Sequence, residues 1–182
     1  MARIAPYPYE SATGERRALM DAVKTQFGAV VNMFGTVAQS PAALKSMLGA
    51  FGALGEGRLG AALGEQIAVA VANYNDCEYC LSAHTMLGRK AGVSKEAMEA
   101  ARLGQSDNPR AQAAIDFALK VVDRRAQIDD TDVDALRAAG FDDEEIVEIM
   151  AHIALNLFTN YVNVGFGVDV DFPAVKPSRL AA

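Results

Sequence analysis

The chain has 182 residues, 51% of them hydrophobic and 22% charged, and a formal net charge of -6 at pH 7. That is the size and balance of one ordinary domain with a sizeable core, and it excludes a disordered chain. Acidic overall, with Lys and Arg scattered among acids, the chain is a poor candidate for binding nucleic acid or an anionic membrane.

The N-terminal stretch MARIAPYPYESATGERR has no apolar segment of secretory type. Its prolines, Pro6 and Pro8, predict extended backbone over about residues 1–10. A helix is expected from Ala12 to Phe27, stopped by Gly28, and a short helical turn around Val30–Phe34. Ser40-Pro41 is a start signal, with Ser as N-cap and Pro at the first helical position; the helix it opens should reach about Leu54. GEGRLG reads as a loop. The next helix, about Leu59 to Asn73, is apolar almost all round after Gln66 and should be buried.

Asp76 reads as the N-cap of a helix carrying CEYCLSAHTMLGRKAG and ending at Gly92. Ser94 should cap a short helix to Leu103, and Pro109 should open another to about Gln127. Thr131 with Asp134, and Asp142 with Glu145, resemble capping boxes. A long, mostly apolar helix is expected from Asp143 to about Asn163, then an extended tail over 168–182 around Pro173 and Pro177. Nothing alternates as a strand does. The expectation is a single all-α domain, 1–182, of about seven to nine helices, counted from caps and breakers. The strongly apolar run Ile67–Ala72 is too short to cross a bilayer, so no membrane is expected and the predicted compartment is the cytoplasm.

The chain has two cysteines, Cys77 and Cys80. A disulfide scaffold would use more, spread along the chain, so a pair this close points to redox or metal chemistry. On a helix, Cys80 lies about 60° around the axis from Cys77, and His84 falls between them one turn further on. Cys80 and His84 are i, i+4 neighbours whose side chains can meet. Near a helix N-terminus, the partial positive charge of free N–H groups favours a thiolate, the nucleophile for a peroxide O–O bond or a disulfide. An imidazole can take the thiol proton, and a second cysteine can close a disulfide on the resulting sulfenic acid. Glu65 begins the mainly apolar run of the preceding helix, where a carboxylate needs a partner. A helix–turn–helix would bring it to the cysteine face.

The pattern Glu65, Cys77, Cys80, His84, with CEYCLSAH at its core, resembles the active-site signature of the alkylhydroperoxidase D (AhpD) group in the carboxymuconolactone decarboxylase-like superfamily. The later stretches ALNLFTNYVN and DVDFP resemble its peroxidase-related subgroup. The resemblance implies an all-α fold and a trimer or hexamer. It implies a peroxidase in which Cys80 is the peroxidatic nucleophile, Cys77 resolves it, and Glu65 and His84 relay protons. No metal, haem or flavin cofactor is implied. Electrons would come from a dithiol partner, a lipoyl-bearing or thioredoxin-like protein. One position departs from the well-studied members: they carry histidine just before the second cysteine, where this chain has Tyr79, a far weaker base.

Other readings accompany this one. Cys77, Cys80 and His84 with Glu65 or His152 are a possible zinc set. His152, in MAHIALNLF, reads as a satisfied core histidine, and Asn160 and Asn163 as partners in the core or across an interface. The rival functions are a disulfide reductase, a redox sensor without turnover, and a decarboxylase, for which a cysteine pair is not required.

Overall fold

Nine α-helices and one short 3-10 turn make up the computed structural model, which describes residues 2–178 and contains no strand among them. They are α1 (Gly14–Phe27), α2 (Asn32–Val37), α3 (Pro41–Gly55), α4 (Ala61–Tyr74), α5 (Glu78–Lys90), α6 (Lys95–Arg102), α7 (Pro109–Asp123), α8 (Asp130–Ala138) and α9 (Asp143–Phe166). The expected all-α class is the class found. No helix of the described residues is long and apolar enough to cross a membrane.

Local chemistry sets most of the boundaries. Ser40 Oγ accepts the Ala43 N–H with Pro41 at the first helical position of α3, and Ser94 Oγ accepts the Ala97 N–H at the start of α6. Asp142 and Glu145 form the reciprocal box that opens α9. Gly28 ends α1 at φ 85°, a left-handed conformation that costs glycine least.

Several boundaries differ from expectation. The box opening α8 joins Asp129 and Asp132, not Thr131 and Asp134; the Thr131 N–H is itself held by the Asp129 carboxylate. Helix α7 stops at Asp123, short of Gln127, because Arg125 and Ala126 turn left-handed at φ 52° and 60°. The short second helix lies over Asn32–Val37, later than Val30–Phe34. Tyr9–Ser11 forms a 3-10 turn within the extended N-terminal segment. The tail is non-helical over 168–178; its last four positions, 179–182, lie outside the described residues.

Helix α4 is the axis of the molecule. Residues Ile67 to Ala72 are all buried, so the helix has to be covered on every side, and α5, α6, α7 and α9 pack against it. One core cluster, with Met20, Leu44, Val69 and Leu81, lies beneath the cysteines. The other, with Ile67, Phe117, Leu136 and Ile149, joins α4 to α7, α8 and α9. Ile149→Ala removes a fully buried side chain from this second cluster, remote from the cysteines. Denaturant unfolding should register a loss of about 2–5 kcal/mol, with thiol reactivity unchanged in the folded protein.

Candidate active site

The turn between α4 and α5 places the cysteines. After Tyr74 and Asn75, Asp76 takes a left-handed conformation at φ 53°, which a short polar side chain tolerates better than most. The Cys77 N–H then bonds back to the Ala72 carbonyl at 2.9 Å. This moves the N-cap by one residue: Cys77, not Asp76 as expected, caps α5, and its Sγ accepts the Cys80 N–H at 3.3 Å. Both sulfurs therefore belong to the first turn of α5, where the helix dipole favours an anion.

Both cysteines are free and buried, 1% and 2% exposed. Their surroundings differ. Asn163 of α9 donates from Nδ2 to Cys80 Sγ at 3.1 Å. Burial pushes the Cys80 thiol up, but the Cys77 thiol, the positive charge of His84 and the amides of Asn163 and Asn160 outweigh it and bring the thiol down to about 7. Cys77 goes the other way: its hydrogen bond to Cys80 and its burial both hold it in the thiol form. Of the two coupled thiols, Cys80 ionises first and Cys77 keeps its proton.

His84 lies one turn beyond Cys80, and its Nδ1 is 2.8 Å from Glu65 Oε2. Burial disfavours the imidazolium, but the Glu65 charge and hydrogen bond, with the Cys80 sulfur, raise its pKa above the ordinary value. The close approach of α5 to α4 that permits this pair runs through Gly88. A Cβ there would collide with the Met98 side chain and sit 3.3 Å from Glu65 Cβ. The four residues singled out by spacing, Glu65, Cys77, Cys80 and His84, are thus brought together.

Tyr79 stands beside them, but its hydroxyl is occupied. It donates to Asp171 Oδ2 at 2.7 Å and accepts the Met33 N–H at 3.3 Å. Burial and the Asp171 hydrogen bond push its pKa far up. Tyr79 is a wall and an anchor, not a base. What it anchors is the C-terminal strap, residues 168–178. Asp171 also accepts the Asn32 N–H at 3.0 Å, the Val175 N–H reaches Ser82 Oγ at 2.8 Å, and Phe172 packs edge-on to the Tyr79 ring at 5.5 Å.

Two cavities meet at His84. One, about 130 Å³, is apolar and aromatic; Cys80 and His84 share its wall with Phe27, Phe34, Tyr79 and Phe172. The other, about 170 Å³, lies on the Glu65 side and is also lined by His152 and Asn156. His152 is therefore a half-buried residue on a cavity wall, its pKa lowered mainly by burial, and not a fully enclosed core histidine. No group of three or more His, Cys, Asp or Glu residues among the described residues is arranged to hold a metal ion.

Sequence reasoning left Asn160 and Asn163 open and missed Asp171. The available signal for the asparagines was their i, i+3 spacing on an otherwise apolar helix. Asp171 offered none beyond its place in DVDFP.

The fold and the site together define a helical protein with a dithiol at a helix N-terminus and a carboxylate–imidazole pair behind it. The chain resembles the AhpD-like carboxymuconolactone decarboxylase superfamily: the profile of the Carboxymuconolactone decarboxylase family matches residues 41–124. Among solved structures it is similar to an AhpD-core peroxidase-related protein from Ralstonia eutropha JMP134, at 28% identity, with 92% of this chain and 93% of that one covered and a TM-score of 0.81. A peroxidase-related protein from Silicibacter sp. TM1040 is 26% identical, with 85% and 84% covered and a TM-score of 0.74. The debrominase Bmp8 shares the fold at 22% identity, with 92% and 91% covered and a TM-score of 0.78. No curated protein matches significantly.

Glu65→Gln removes the charge that raises the His84 pKa. Burial then favours neutral imidazole, and Cys80 loses a nearby cation. The pH profile of Cys80 alkylation by iodoacetamide should move to higher pH, with a rate at pH 7 roughly tenfold lower. An unmoved profile would separate Glu65 from the thiol.

Proposed function

We propose that this protein is a thiol peroxidase that reduces hydrogen peroxide or organic hydroperoxides through a Cys77–Cys80 dithiol/disulfide cycle. The observation that carries the reading is the position of Cys80: a sulfur with a lowered pKa at a helix N-terminus, on the wall of an apolar cavity it shares with His84. Catalysis by a thiol needs the thiolate, access for the oxidant and a proton for the leaving oxygen.

The Cys80 thiolate attacks the terminal oxygen of a hydroperoxide, ROOH. The S–O bond forms as the O–O bond breaks, and the alkoxide takes the His84 proton and leaves as ROH. Cys80 is now a sulfenic acid. Cys77 attacks its sulfur, the Cys77–Cys80 bond forms, and the hydroxyl leaves with the Cys77 proton as water. A dithiol partner, a lipoyl-bearing or thioredoxin-like protein, supplies two electrons and two protons and restores both thiols. The aromatic walls favour an alkyl group over water, so organic hydroperoxides are the preferred class. Tyr79 contributes shape and the strap, which explains how the site dispenses with a base at that position.

The apolar cavity at Cys80 suits a small organic oxidant, which supports the peroxidase above a disulfide reductase or a sensor. Homo-oligomeric assembly is supported by the exposed apolar residues Val147, Phe158, Tyr161 and Val164 along α9.

The test is peroxide consumption by the reduced protein with dihydrolipoamide as reductant. Wild type should turn over; Cys80→Ser should lose turnover entirely; Cys77→Ser should stop after one equivalent, with a sulfenic acid trapped on Cys80. No peroxide turnover, with a disulfide that still forms and is still reduced by dithiols, would make it a reductase or sensor. A decarboxylase would keep its activity in the doubly substituted protein.

A further inference from the structure

We propose that Asn163, supported by Asn160, is a catalytic residue whose carboxamide N–H holds the Cys80 sulfur as the thiolate. The proposal rests on the reading above only in taking the Cys80 thiolate as the working nucleophile.

Asn163 lies near the end of α9, far along the chain from Cys80, yet its Nδ2 is 3.1 Å from that sulfur and it is 3% exposed. Burying a carboxamide is costly unless its polar atoms are paired. Here the pairing is incomplete: Asn163 Oδ1 is buried without a partner. A neutral thiol is a weak acceptor and would return little for that cost. A thiolate is a strong one, and hydrogen bonds to an ionised acceptor are about twice as strong as neutral ones. The geometry suits an anion at Cys80 and is wasteful for anything else.

Asn160 repeats the pattern one turn earlier. Its Oδ1 accepts from Asn75 Nδ2 at 2.9 Å, which ties α9 to the turn just before the cysteines. That bond orients the amide, and its Nδ2 is left buried and unpaired. Toward Cys80 itself α9 offers an N–H dipole, while its His152 faces Glu65 and His84 across the second cavity. The titratable groups around Cys80 come from elsewhere: Cys77 and His84 on α5, Glu65 on α4 acting through His84, and Tyr79, whose hydroxyl is bound to Asp171 of the strap.

This predicts a split between stability and reactivity that a packing role does not produce. Asn163→Leu removes a half-satisfied polar group from the core and replaces it with an apolar side chain of similar size. The melting temperature should hold or rise. In a Cys77→Ser background, where Cys80 is the sole thiol, the pH midpoint of iodoacetamide alkylation should climb by about one to two pH units when Asn163→Leu is added. Asn163→Asp, which sets a carboxylate beside the sulfur, should move it further, and Asn163→Ala serves if leucine does not fit. An unchanged midpoint in a folded variant overturns the proposal, as does a reactivity loss that only follows a loss of fold. The assay contains no peroxide. A protein that turns over no peroxide but shows the shift keeps this proposal and loses the peroxidase; turnover without the shift does the reverse.

Discussion

Helix α4 has no polar face between Ile67 and Ala72, and everything around the site follows from the need to enclose it. Covering such a helix takes neighbours on all sides, and two of them, α5 and α9, approach it from adjacent directions. Their meeting brings Asn163 to Cys80, residues that no local rule connects. The same enclosure sets Glu65, near the start of α4, beside His84 on α5, with Gly88 leaving room for the Met98 side chain next to Glu65. The site is a by-product of burying one apolar helix, into which a few polar side chains are admitted where they find partners.

Those partners break the symmetry of the dithiol. Two thiols three residues apart would ordinarily be near equals. Here Cys77 is the helix cap, accepting the Cys80 N–H, while Cys80 has His84 one turn on and accepts the Asn163 amide N–H. Opposite shifts follow from opposite surroundings: burial acts on both sulfurs, and only Cys80 has enough donors to overcome it. Cys80 is also the cysteine that lines the aromatic cavity.

How much of this was legible beforehand depended on distance along the chain. The cysteines and His84 fall within one helix, where angular spacing is a reliable guide, and the caps at Ser40, Ser94 and Asp142 are single-residue chemistry. The all-α class and a buried α4 were readable for the same reason. Glu65 was placed with the cysteines by its spacing in the family signature, because the turn that folds it back is not visible in propensities. Asp76 was misjudged: aspartate is both a good cap and a tolerable left-handed residue, and local pattern does not choose between the two. The ends of α7 and the box at α8 failed similarly, through left-handed backbone at Arg125 and Ala126 and a choice among neighbouring acids. The asparagines of α9 and Asp171 were out of reach because their roles depend on tertiary contacts across more than eighty residues.

The central claim is the inequality of the two sulfurs, and competition for a single equivalent of alkylating agent tests it most directly. The reduced native protein would be treated with iodoacetamide at neutral pH, quenched, digested and mapped by mass spectrometry. The account requires the label on Cys80, with Cys77 reacting only after unfolding. Label on Cys77, or shared evenly between the two, would contradict it.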